Sequence, residues 1–150
     1  MARSPATLIA GAVRLAVAAV FVAAGALKAH DPAAFATAVD HYHLLPYPAA
    51  AALALYLPWL EMMCGAGVLW ARLRLGALNL LLGLCGMFAV ALASAWWRRL
   101  DIACGCFGAG AGSRPALLLD LVRTLALAAA CAVLLGRELR VGAPPDAAGG

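Results

Sequence analysis

Four windows of roughly 20 apolar residues, each the length a helix needs to cross the hydrocarbon layer of a bilayer, run through this 150-residue chain. They cover residues 6–27, 49–70, 75–97 and 116–135. A chain that is 66% hydrophobic and 12% charged, with a mean hydropathy of +0.94, would expose large apolar patches if it folded in water. The sequence therefore predicts an all-α integral membrane protein, a four-helix bundle with a short interfacial helix between helices 1 and 2. Glycines inside the windows, such as Gly25, Gly65 and Gly83, would weaken a water-soluble helix but let membrane helices approach closely. No linker or composition shift divides the chain, so residues 1–141 read as one transmembrane domain. Residues 142–150, with Pro144-Pro145 and terminal glycines, read as a disordered tail. A signal peptide in the first window is disfavoured, because no water-soluble domain follows it.

The net charge of +4 comes from ten arginines and one lysine, Lys28, most of them at the ends of apolar runs. This is the pattern of a membrane boundary and excludes a nucleic-acid patch. Arg3, Arg72, Arg74, Arg137 and Arg140 fall on one side, and Lys28, Arg98, Arg99 and Arg114 on the other. The excess of one cation favours both termini in the cytoplasm of a bacterial inner-membrane protein. The connections at residues 28–48 and 98–115 then face the exterior. The first holds Asp31-Pro32, a helix-start signal, followed by a short apolar helix at the interface. Tyr42, Tyr47, Trp96 and Trp97 would form an aromatic belt on that side.

Two charges interrupt their spans at depth. Arg14 is eight residues from the inner end of the first window and Glu61 nine residues from that of the second, roughly 12 and 13 Å at the rise of an α-helix. A buried charge costs about 2.5–3.5 kcal/mol on insertion scales, so Arg14 and Glu61 are expected to pair; a proton-relay or quinone-headgroup role for Glu61 is the functional alternative. In the fourth window Asp120 and Arg123 share a helix face. They either pair with each other or, with Lys28, lie beneath the outer loop, where a cation lowers a thiol pKa.

That outer loop contains Asp101-Ile102-Ala103-Cys104-Gly105-Cys106-Phe107-Gly108. Cys64, Cys85 and Cys131 lie in apolar runs, where cysteine is ordinarily a small core residue; Cys104 and Cys106 lie outside them. Gly105 allows the bend that a disulfide between them requires, with Cα atoms closer than about 7 Å. So small a ring is strained and readily reduced, which suits thiol–disulfide exchange and not a structural staple. A metal reading uses the same thiols with His41 and His43, since two thiolates and two imidazoles suit zinc or copper. Cys-x-Cys is, however, shorter than the usual zinc-knuckle spacing. No phosphate loop, nucleophile elbow or metalloprotease motif appears in the chain; a quinone enters as a headgroup bound at Glu61 or as an acceptor of electrons.

Lys28-Ala29-His30-Asp31-Pro32-Ala33-Ala34-Phe35, Tyr42-His43-Leu44-Leu45-Pro46, Leu57-Pro58-Trp59-Leu60-Glu61 and Cys104-Gly105-Cys106-Phe107-Gly108 together resemble, in order and spacing, the DoxX-like membrane proteins and particularly their MauE branch. The likeness runs from about Arg14 to Leu135. It implies a four-helix membrane protein of redox metabolism. MauE itself is linked to methylamine utilisation and to maturation of the disulfide-rich small subunit of methylamine dehydrogenase. The expected activity is thiol–disulfide exchange by Cys104 and Cys106 with an exported thiol protein or thioredoxin-like partner. The other readings are a non-catalytic assembly factor or subunit of a larger oxidoreductase, and a metal or small-molecule carrier.

Overall fold

The computed structural model describes residues 5–99 and 114–142. The described residues form five helices and no strand: α1 Pro5–His30, α2 Pro32–Asp40, α3 Tyr47–Gly67, α4 Arg74–Trp97 and α5 Arg114–Gly142. The helices α1, α3 and α4, with Pro115–Arg140 of α5, are long and apolar enough to cross a bilayer. The protein is thus a multi-pass helical membrane bundle.

The ends of these helices follow from local chemistry. Asp31 caps α2 by accepting the Ala34 N–H at 2.9 Å, and the proline that follows has no N–H to leave unsatisfied. The tight turn after α3 is closed by Arg74, whose Nε–H donates to the Val68 carbonyl at 3.1 Å, satisfying one of the carbonyls a helix end leaves open. The second span stops at Gly67, three residues short of the predicted window, because the chain turns there to pack Gly67 against Ala77 and Leu73. The fourth runs on to Gly142, since Glu138 is held by cations from two other helices. Residues 143–150, most of the predicted tail, lie outside the described residues.

The helices α1 and α3 form one antiparallel pair and α4 and α5 another, while α2 folds back onto α3. Gly25 and Gly65 fix the register of the first pair. A Cβ at Gly25 would stand 2.6 Å from the Pro58 carbonyl oxygen, and one at Gly65 would stand 3.0 Å from Phe21 Cβ. Gly25 must therefore be glycine for the backbones to come this close, and a side chain at Gly65 would make its neighbours on α1 give way. Pro58 lies inside α3, where a ring without an N–H leaves the preceding turn a carbonyl short of its donor.

One core cluster joins Val17, Phe21, Phe35, Leu57, Leu81 and Leu134 across all five helices. A second joins Tyr42, Leu92, Ala95 and Leu117 where α4 ends and α5 begins. Tyr42 therefore departs from the predicted aromatic belt: it is buried, and its carbonyl accepts Arg98 Nη1–H at 2.8 Å. Tyr47, Trp96 and Trp97 are exposed, as a belt requires. Large apolar side chains such as Trp59, Met63, Val90 and Val122 also face outward, toward a surrounding that must itself be apolar.

Candidate functional site

All five helices converge on a salt bridge in the interior. Lys28 Nζ donates to both carboxylate oxygens of Glu61, at 2.6 and 2.7 Å, and the two side chains are only 2% and 1% exposed. Helical side chains lean toward the N-terminus of their own helix. In an antiparallel pair this brings Lys28, near the end of α1, and Glu61, six residues before the end of α3, toward one another. Two rings complete the cage: Phe88 of α4, with its centroid 4.6 Å from Nζ, and Phe35 of α2, at 5.5 Å. Each is within range of a cation–π attraction, which is worth about 2 kcal/mol when desolvated.

Beside the pair is a small cavity of about 30 Å³, lined by residues including Phe21, Cys85, Phe88 and Thr124 as well as Lys28 and Glu61. That is enough room for a water molecule, with polar groups to bind it. Cys85 and Phe88 lie near the middle of α4, so the site sits at mid-depth in the bundle. An ammonium and a carboxylate held together away from water can orient a polar group or exchange a proton with it, while the rings exclude bulk solvent.

The structure corrects the pairing expected from depth. Arg14 pairs with Glu138 of α5, not with Glu61, and Glu138 also accepts Arg74 Nη1 at 3.3 Å. The depth estimate took α1 and α3 to end level. The glycine contacts instead set Gly65 against Ala18 and Phe21, and Gly25 against Pro58 and Met62. Arg14 consequently lies about a turn beyond the end of α3, within reach of α5. Lys28, expected to tune a loop thiol, has its ammonium committed to Glu61. Asp120 and Arg123 meet each other at 3.6 Å, with the Arg123 side chain 51% exposed. Asn79 donates back to Leu75 of its own helix at 2.8 Å.

Cys64, Cys85 and Cys131 are free and buried. Cys104 and Cys106, the predicted reactive pair, lie outside the described residues. His41 and His43 are exposed in the link between α2 and α3. Among the described residues no group of three or more His, Cys, Asp or Glu side chains is arranged to hold a metal ion.

The Lys28–Glu61 pair was missed by sequence reasoning because Lys28 lies two residues before the end of its helix, where a lysine ordinarily snorkels to water. The available signal was the spacing from Lys28 through Asp31-Pro32 to Phe35. A helix start so soon after Lys28 folds the chain back over it.

A family model described as methylamine utilisation protein MauE matches residues 6–137. No curated protein and no solved structure is significantly similar to the chain. The matched residues take in the second and third spans whole and nearly all of the first and fourth, together with Lys28, Glu61 and the Cys-Gly-Cys sequence, and the chain belongs to the MauE family.

Proposed function

We propose that the protein is a thiol–disulfide redox protein of the bacterial inner membrane, oxidising an exported partner through Cys104 and Cys106. Its termini lie in the cytoplasm, and the segment between α4 and α5 faces the exterior, where disulfides persist. The observation that carries this reading is the division of the five cysteines. Three are buried in the spans, where a thiol is inert, and the other two stand one residue apart in the one segment joining α4 to α5. Family membership supports a place in methylamine utilisation, and the motifs quoted above support the wider DoxX-like relationship.

The chemistry balances as two exchanges. A partner thiolate attacks the Cys104–Cys106 disulfide, forming a mixed disulfide and releasing one thiolate. The second partner thiol resolves it, leaving the partner oxidised and both loop cysteines reduced. Reoxidation of the pair removes two electrons and two protons, which a quinone accepts to become the hydroquinone, or which a second disulfide protein accepts as a dithiol.

The test compares two variants expressed in cells with a reporter of exported disulfide formation. Cys104→Ser/Cys106→Ser is expected to abolish the contribution of this protein to reporter oxidation, while Cys64→Ala/Cys85→Ala/Cys131→Ala retains most of it. Normal oxidation by the double serine variant would replace this reading with that of a non-catalytic assembly factor.

A further inference from the structure

A second, larger cavity lies beside the ion pair, between α2, the link that follows it, and the outer half of α4. Its volume is about 410 Å³, within the range of small-molecule sites. Phe35 and Val39 of α2, Leu53 of α3, and Gly86, Phe88 and Ala91 of α4 form much of its wall. Leu44, Leu45, Met87 and Val90 also line it and are exposed, Val90 by 70%. Since Met87 and Val90 belong to a membrane span, this side of the mouth faces the hydrocarbon of the bilayer and gives an apolar ligand a route in from the lipid. The inner wall is the distinctive part. Phe88 lines both this cavity and the small one at the ion pair, and Phe35 lines this cavity while its ring lies over Lys28 Nζ. Only the thickness of an aromatic ring separates the apolar space from a buried ammonium group.

We propose that this cavity binds a membrane quinone, its ring against Phe35, Phe88 and Tyr42 and its isoprenoid chain leaving through the mouth at Met87 and Val90. Three features argue for a quinone over a plain acyl chain. The aromatic walls favour a planar ring, which gains from offset or edge contacts with them. The quinone carbonyls are hydrogen-bond acceptors; Tyr42 in the wall is a buried residue with a hydroxyl donor, and the Lys28 ammonium lies behind the Phe88 ring, reached by a rotamer change of Phe88. A long apolar chain fits the one-sided opening to lipid. The site rests on the redox reading only for its purpose, as the place where electrons from the thiol pair are accepted; binding itself does not require the thiols.

Gly86 supplies the test. A Cβ built there meets nothing within 4 Å, so Gly86→Leu adds its side chain to open space and should leave the helix intact. The protein, carrying Cys104→Ser/Cys106→Ser so that no thiol reaction contributes, is placed in phosphatidylcholine nanodiscs and titrated with radiolabelled ubiquinone-2. Farnesol, an isoprenoid chain without the ring, serves as competitor. The expected result is saturable binding that Gly86→Leu weakens at least tenfold and that farnesol displaces poorly. Ala91→Leu in the same wall carries the same expectation if Gly86→Leu does not fold. Unsaturable binding, equal binding in the filled variants, or displacement by farnesol as effective as by unlabelled ubiquinone-2 would overturn the proposal, the last marking a site for lipid chains only. Binding by the serine variant together with a failed thiol assay would leave the quinone site standing and remove the exchange reaction.

Discussion

Lys28→Met and Glu61→Leu, made singly, are each expected to destabilise the bundle by about 3–5 kcal/mol, because each strands the other charge away from bulk water. The double variant should be far milder, since two apolar side chains of similar size lose the mutual attraction but also lose the cost of burying two ions. The 2% and 1% exposures of the pair make this a buried bridge, unlike the partly exposed Arg14–Glu138–Arg74 group. Reversible unfolding in detergent, followed by helical circular dichroism, measures all three variants. Additive losses in the double variant would mean that the two residues act independently and that the pair is not a unit. If the double variant folds but is inactive, the pair has a chemical role beyond holding the helices together.

The second large effect is expected at Gly25. Gly25→Leu must displace the Pro58 carbonyl at 2.6 Å and Met62 Cγ at 2.7 Å from the new Cβ. The first is backbone, so the helices themselves have to part. Overpacking of this kind costs about 1–3 kcal/mol or more. Here it also draws Lys28 away from Glu61, because the same two helices carry both. Gly11→Leu is the control: its Cβ meets nothing within 4 Å and should leave the melting temperature near that of the parent. Equal effects at the two positions would show that helix propensity, and not contact between α1 and α3, decides the outcome.

The spans were legible in the sequence because a bilayer imposes one requirement, a long apolar run, that composition alone reveals. The start of α2 was legible for a different reason: Asp31-Pro32 is a local signal, and the cap it forms involves only Ala34, three residues on. The charge partners were not. Arg14 and Glu138 are 124 residues apart, and Lys28 and Glu61 are 33 apart. Which cation meets which carboxylate depends on the sliding register of the helices. Two glycines fix that register, and in sequence they look like every other glycine in the spans. A shift of about nine residues, roughly two and a half turns, turned an expected Arg14–Glu61 pair into two separate sites. Burial of Lys28 was hidden likewise, since it depends on Phe35 and Phe88 arriving from α2 and α4.

The redox claim is tested most directly by the oxidation state of Cys104 and Cys106. Isolated membranes are alkylated rapidly with one reagent, reduced, alkylated with a second, and digested for mass spectrometry of the peptide that contains both. Part of the population is expected to carry a Cys104–Cys106 disulfide, and Cys104→Ser or Cys106→Ser, made singly, to accumulate a mixed disulfide with an exported protein. Both thiols fully reduced under every growth condition, with no mixed disulfide in either serine variant, would contradict it.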